Sequence, residues 1–159
     1  MDQDLPQPVT RVLADAKSKG LDLAIVRTDT TARSAEEAAL AVGASVGQIV
    51  KSLIFKGRDS DAPYLLLVSG SNRVNEKAMA ARLGERLVRP DADFVRSATG
   101  FAIGGVSPFG ASGSLATFMD EALLRFETVW AAAGTPFHVF PIAPQALLQA
   151  TGAALIDVS

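Results

Sequence analysis

Two apolar segments of strand length, separated by a short polar segment, constrain the fold of this chain more than any other feature. Residues 49–56 read IVKSLIFK and residues 64–69 read YLLLVS. The segment between them, GRDSDAP, has the polar, turn-forming composition of a hairpin loop. We therefore predict that the two segments pair as a β-hairpin.

Segments with helical periodicity and clear end signals surround this hairpin. Ser34 and Glu37 form an S-x-x-E capping box that opens an alanine-rich helix ending near Gly43. The other predicted helices cover 9–20, 75–83, 91–100, 120–126 and 144–152, and the other predicted strands cover 23–27, 86–89, 115–119, 128–132, 137–142 and 153–158. Short strands interrupted irregularly by helices predict a single compact α+β domain with a mixed, curved β-sheet and flanking helices.

The residue types that the chain lacks exclude several kinds of site. It has 159 residues, no cysteine and one histidine, His138. A domain of this size can bury a core without disulfides or metal. Disulfides, a thiol nucleophile, cysteine-ligated zinc and a multi-histidine metal site are excluded. Cysteine hydrolases, zinc deaminases and zincins are therefore not expected.

The charge and the start of the sequence bear on partners and location. A formal net charge of −2 argues against a nucleic-acid coat with a broad basic face, so any RNA would be met only at a short end, and no DNA is expected. The first residues, MDQDLPQPVT, lack a signal-peptide pattern, and no apolar run approaches the ~20 residues that span a bilayer. We expect a cytoplasmic protein without membrane contact.

Lys51 is the most informative single residue. Side chains alternate along a strand, so Ile49, Lys51, Leu53 and Phe55 share one face, and the apolar neighbours make that face the expected inner one. Burying an unpaired ammonium is costly. The lysine therefore either extends to water from a strand end or serves a pocket as a cation for a phosphate or a developing oxyanion.

The segment Gly104-Gly105-Val106-Ser107-Pro108 is the second candidate. Its glycines permit positive φ and close approach of the backbone to a ligand, Pro108 fixes the exit direction, and consecutive N–H groups can form an anion cradle. A plain glycine turn is the alternative. Neither GxGxxG nor GxxxxGK[ST] is present, so nucleotide cofactors have no support.

Two further residues need weighing. His138, between Phe137 and Val139, is either a satisfied structural residue or a donor or acceptor in a pocket wall. Ser45 lies in Gly43-Ala44-Ser45-Val46-Gly47, which matches the G-x-S-x-G nucleophile elbow. That elbow requires a strand before it and a helix after it, whereas here the predicted order is reversed. We therefore interpret the match as chance.

Four segments in register resemble a known family. They are TARSAEEAALAVGASVGQIVKSLIF, LLLVSGSNRVNEKAMAARLG, TGFAIGGVSPFG and AAAGTPFHVFPIAPQALLQATGAALIDV. The chain, from about Leu13 onward, is similar to the YbaK/ProRS-like editing domains, the trans-acting relatives of the insertion domain of prolyl-tRNA synthetase.

The resemblance implies a barrel-like sheet, no metal and no cofactor. Lys51, in the I-V-K-S-L context, would be the key functional residue, and residues 104–108 would line the aminoacyl pocket together with His138. GGVSP is close to the loop of the cysteine-editing YbaK branch. The implied activity is hydrolysis of the ester between a mischarged small amino acid, such as alanine or cysteine, and a tRNA, with tRNA(Pro) expected.

In this interpretation Lys51 anchors a phosphate or stabilises the oxyanion, and a water attacks, aided by the ribose hydroxyl, Ser107 or His138. Val106 and Pro108 would exclude larger amino acids. Arg33, Lys56, Arg73 and Lys77 are either phosphate contacts or solvated surface charges. The acceptor end of aminoacyl-tRNA is the expected partner, and a transient complex with an aminoacyl-tRNA synthetase is a further expectation. The alternatives are a non-catalytic binding module on the same fold and an esterase using Ser45.

Overall fold

The structure is a computed structural model that describes residues 5–31 and 34–159. Its helices are α1 (Gln7–Ser18), α2 (Ala35–Val42), α3 (Glu76–Leu83), α4 (Ala92–Thr99) and α5 (Pro144–Thr151). Its strands are β1 (Val26–Arg27), β2 (Val50–Gly57), β3 (Pro63–Ser69), β4 (Leu87–Val88), β5 (Ala116–Asp120), β6 (Val129–Ala132), β7 (His138–Ile142) and β8 (Ala154–Ile156). Short 3-10 helices cover Val46–Gln48 and Glu121–Arg125.

The strands form two sheets of different character. One has the order β4-β2-β3-β5-β8, in which β2 pairs antiparallel with β3 and β4, whereas β3–β5 and β5–β8 are parallel. The other is antiparallel, with the order β1-β7-β6. Over the described part of the chain, one isolated parallel bridge between Ile49 and Trp130 joins the two sheets, so they do not close into a full barrel. The predicted α+β architecture with a mixed sheet is confirmed.

The predicted hairpin and helix ends are also confirmed, because their signals are local. Lys51 pairs with Val68, and the register runs from Val50 opposite Ser69 to Lys56 opposite Pro63. The Ser34 hydroxyl accepts the N–H of Glu37 at 3.1 Å, while the Glu37 carboxylate accepts the N–H of Ser34 at 3.2 Å. The helices α2 to α5 each end at a glycine in the left-handed conformation.

Both faces of the central hairpin are covered, which corrects the expectation of a single inner face for β2. The larger core lies between the two sheets and includes Val50 and the partly buried Ile54, on the face opposite Lys51. On the Lys51 face, Phe55 packs in a smaller cluster with Met79 of α3. The period-two argument placed Lys51 with Phe55 correctly. The argument could not show which face is more deeply buried, because β2 carries apolar residues on both faces. This pattern is typical of strands that are covered on both sides.

Across residues 5–31 and 34–159, none of the helices combines the length and the apolar character that crossing a bilayer requires.

Candidate functional site

A cleft of about 1020 Å³ opens along the free edge of β2. On this edge β4 pairs with Lys56 and Gly57, and Ile49 forms the bridge to β6. Among residues 5–31 and 34–159 nothing pairs with the backbone edge between these two points. The opposite walls are α2, β6 and the loop that carries Gly104. This volume matches that of small-ligand sites.

Lys51 lies in the wall of this cleft, with its side chain half-buried. Its ammonium donates a hydrogen bond to the backbone carbonyl of Asn72, with Nζ 2.5 Å from the oxygen. Burial of the ammonium holds the pKa of Lys51 below its ordinary value. The carboxylates of Glu36 and Asp120 act in the opposite direction, and the guanidinium of Arg73 adds to the lowering. The ammonium is therefore bound to a backbone carbonyl, and among the described residues no carboxylate forms a direct ion pair with it.

Asp120 supports Lys51 indirectly, through a hydrogen bond to Asn72. It was not among the site residues predicted from the sequence. Asp120 is 2% exposed. It accepts hydrogen bonds from the backbone N–H of Ser69 (3.1 Å), the side-chain amide of Asn72 (2.9 Å) and the N–H of Ala122 (3.0 Å). Asp120 thus fixes the residue whose carbonyl receives the Lys51 ammonium. An aspartate at the junction of a predicted strand and a predicted helix was the available signal.

The residues of the loop 104–108 divide between the cleft wall and the interior. Gly104, with φ +92°, and Val106 line the cleft together with Lys51. The other three residues do not belong to the described lining. The Gly105 N–H donates to Ala102 O at 3.0 Å, and the buried Ser107 hydroxyl accepts the N–H of Phe109 at 3.3 Å. The N–H of Gly105 is therefore already paired and is not available to an anion cradle.

His138 lies behind the loop and also falls outside the described lining of the cleft. It is buried, and a hydrogen bond of 2.6 Å joins its Nδ1 to the hydroxyl of Thr135. Burial, together with the positive charge of Arg27 on the paired strand, holds the pKa of His138 below its usual value, which favours the neutral ring. A Cβ added to Gly105 would lie 3.2 Å from the Cα of Thr135, so His138 supports a turn that packs on the loop.

Other predicted residues lie at the rim or away from the cleft. Arg73 lines the cleft and is exposed, whereas Lys56 lies 3.4 Å from a carboxylate oxygen of Asp61. Lys77 is exposed on α3, and Arg33 lies outside the described residues. Arg89, which the sequence reasoning missed, also lines the cleft.

The environment of Ser45 does not fit a nucleophile elbow. Ser45 follows α2 and directly precedes the 3-10 helix Val46–Gln48, after which β2 begins, so the order of elements is the predicted one. Both its N–H and its hydroxyl donate to the side-chain oxygen of Gln48, at 2.9 and 3.1 Å. In the part of the chain with described coordinates, no three residues of the types His, Cys, Asp or Glu come together as a potential metal site.

The fold and the sequence are both similar to those of known proteins. The structure superposes with a TM-score of 0.91 on a solved structure described as a candidate trans-editing enzyme for prolyl-tRNA synthetase, at 43% identity over 98% of this chain and 99% of that one. Protein YwhH of Bacillus subtilis, which is uncharacterised, is 30% identical over 125 residues, 79% of either chain. A proline–tRNA ligase of Thermoanaerobacter sp. is 29% identical over 111 residues, which are 67% of this chain and 19% of the ligase.

The fold and the cleft define a small α+β domain with a lysine in the wall of a ligand-sized cleft. The profile of the aminoacyl-tRNA editing domain matches residues 10–150, and the chain belongs to that family.

Proposed function

We propose that this protein is an aminoacyl-tRNA deacylase that removes mischarged small amino acids, such as alanine or cysteine, from tRNA(Pro). One observation carries the proposal. In a chain of the editing-domain family, Lys51 lines the same cleft as Gly104 and Val106. The likeness to the candidate trans-editing enzyme and to a segment of proline–tRNA ligase supports the choice of tRNA.

The reaction is hydrolysis of the ester between the amino acid and the terminal ribose. Water adds to the carbonyl carbon, the carbonyl oxygen takes up negative charge, and the bond to the ribose oxygen then breaks. The ribose oxygen leaves as a hydroxyl, and the amino acid is released as its carboxylate. A cation fixed near the carbonyl oxygen or the adjacent phosphate lowers the barrier, because it is already in place when the charge develops. Lys51, held by the carbonyl of Asn72, is suited to this role.

Specificity in this proposal depends on the size of the amino-acid pocket. A synthetase rejects a smaller amino acid weakly, since one methylene is worth only about 1–3 kcal/mol. A second pocket that is too small for the correct amino acid removes the errors. Val106 lies in the cleft wall and is the residue best placed to limit size, whereas Pro108 lies outside the described lining.

The tRNA would be contacted near its 3′ end. The net charge of −2 gives little general attraction for RNA. Arg73 and Arg89 in the cleft lining offer local positive charge for phosphates next to the reacting ester. A transient complex with the synthetase would supply the mischarged tRNA before its release, and this forms part of the proposal.

The test is deacylation of alanyl-, cysteinyl- and prolyl-tRNA(Pro), measured as free amino acid. Lys51→Ala should lower kcat/KM for the preferred small amino acid by about 10²- to 10³-fold, as loss of an oxyanion contact does. Lys17→Ala, an exposed lysine on α1, serves as the matched control and should retain full activity. Full activity of Lys51→Ala would remove the lysine from its role. Binding of aminoacyl-tRNA by the wild type without release of amino acid would favour the non-catalytic binding module.

A further inference from the structure

The helix α1 contacts both ends of the loop 100–110, and none of its residues belongs to the described lining of the cleft. Arg11 and Asp15 are one helical turn apart and therefore lie on the same face of α1. Arg11 Nη2 donates to the carbonyl of Gly100 at 2.8 Å, and Asp15 Oδ2 accepts the N–H of Gly110 at 2.7 Å. Two neighbouring side chains of α1 thus hold the two ends of one loop.

Glycines occur where the backbone of this loop lies close to α1 or to the segment around residue 134. A Cβ at Gly110, which has φ +88°, would lie 3.0 Å from the backbone N of Val12 in α1. A Cβ at Gly105 would lie 2.5 Å from Gly134 O, and one at Gly134 would lie 2.9 Å from the backbone of Pro8. Gly105, in the middle of the loop, therefore packs on Gly134, which in turn packs on Pro8 of α1. These close approaches leave the loop little room to shift toward α1.

The Arg11 contact has two further features. Its guanidinium carbon lies 4.9 Å from the ring centroid of Phe101, the buried residue that follows Gly100. Arg11 Nε is buried and has no hydrogen-bond partner among the described residues. An unpaired buried donor costs free energy, so the side chain occupies this position at some expense to stability.

We propose that Arg11 and Asp15 are positioning residues that set the conformation of the loop lining the cleft, so that α1 controls deacylation without touching the substrate. The inference rests on the proposed function. It assigns α1 a role in catalysis because Gly104 and Val106, the loop residues in the cleft wall, lie between the two points that α1 holds.

The test compares variants of Asp15. Asp15→Ala removes the acceptor for Gly110, whereas Asp15→Asn keeps a side-chain oxygen there. Lys19→Met is the matched control, because it removes the ion pair with Asp15 (2.9 Å) and the contact of the Lys19 ammonium with the Phe109 ring (5.5 Å to the centroid) but keeps the Asp15 carboxylate that accepts the N–H of Gly110. A shift of about 1 Å in the groups that line a catalytic site can lower the rate ~10²-fold. We therefore expect Asp15→Ala, which releases one end of the loop, to lower kcat/KM by about 10- to 100-fold. Asp15→Asn and Lys19→Met should stay close to the wild type.

Hydrogen exchange supplies a second measurement that does not depend on activity. The peptide 101–112 should exchange faster in Asp15→Ala than in Lys19→Met, while the peptides of β2 and β3 remain unchanged. Arg11→Met tests the other end of the loop and replaces Asp15→Ala if that variant fails to fold.

Unchanged loop exchange or unchanged kcat/KM in the folded Asp15→Ala variant would overturn the inference, as would an equal loss in Lys19→Met. If the wild type releases no amino acid, the proposed function fails and the catalytic role of α1 fails with it. The exchange measurement would then still decide whether α1 holds the loop.

Discussion

Replacing Asp120 by alanine should destabilise the fold and weaken the Lys51 site together. Its buried carboxylate accepts the N–H of Ser69 and the side-chain amide of Asn72 on Oδ2, and the N–H of Ala122 on Oδ1. Alanine leaves these donors without an acceptor. The Asn72 side chain, released from Asp120, no longer holds the carbonyl that receives Lys51 Nζ.

The magnitude follows from these three bonds. An unsatisfied buried donor costs about 1–3 kcal/mol, and loss of a cap at a helix start costs about 1 kcal/mol. Removal of the carboxylate also removes the cost of burying its charge, which offsets part of the loss. We therefore expect the free energy of unfolding to fall by about 2–4 kcal/mol.

Urea unfolding at neutral pH measures this loss. With a slope of about 2 kcal/mol per M, the midpoint should fall by about 1–2 M. Ser97→Ala, an exposed position on α4, is a matched control and should leave the midpoint unchanged. A midpoint for Asp120→Ala within error of the wild type would refute the reasoning, because it would mean that the three donors find other partners at no cost.

The same site predicts a change in pH dependence. The carboxylate of Asp120 raises the pKa of Lys51, against the lowering caused by burial. Asp120→Asn removes that charge, so the pKa of Lys51 should fall further. If the protonated lysine is the active form, the alkaline decline of kcat/KM moves to lower pH in this variant. Rates must be corrected for spontaneous ester hydrolysis. An unshifted decline would show that Lys51 does not titrate in this range or acts without its charge.

Two other predictions concern the pocket and the loop of the hairpin. Val106→Ala should widen the cleft and raise the rate of deacylation of prolyl-tRNA relative to alanyl-tRNA by about 10-fold. This factor corresponds to the binding free energy of roughly one or two methyl groups. An unchanged ratio of the two rates would show that Val106 does not limit the size of the amino acid. The hydroxyls of Tyr64 and Ser60 lower the pKa of Glu85 to about 2. The ionised carboxylate therefore contributes its full stabilisation of the fold above its ordinary pKa of 4.5, and this contribution is lost as pH falls toward 2. The melting temperatures of the wild type and Glu85→Gln should therefore converge over that pH range in calorimetry, and a constant difference would contradict the assignment.

The sequence predicted most of the fold because the relevant signals are short-range. The apolar segments on either side of GRDSDAP specified the hairpin, and Ser34, Asp91 and Gly43 marked helix ends through bonds to residues three or four positions away. Strand order is different. The parallel pairing of β3 with β5 joins segments about 50 residues apart, and no local pattern specifies it.

The candidate site was predicted only in part for the same reason. Alternation placed Lys51 on a defined face of a strand, but Asn72 comes from the turn after β3 and Asp120 from the end of β5. From the sequence, the glycines at 104 and 105 together predict either a ligand cradle or a plain turn. In the structure Gly104 lines the cleft, whereas Gly105 has room only for a hydrogen where it meets Gly134. Sequence alone does not distinguish a glycine required by a ligand from one required by packing.

The two walls of the cleft are held by different parts of the chain, and this bears on how the site would act. The Lys51 wall is fixed from β5 through Asp120, and the loop wall is fixed from α1 through Arg11 and Asp15. A charge that is held in place before the reaction stabilises a transition state without the cost of reorganisation. Substitutions at these supporting residues should therefore affect kcat more than KM, because they disturb the alignment that the transition state requires and remove no contact with the substrate.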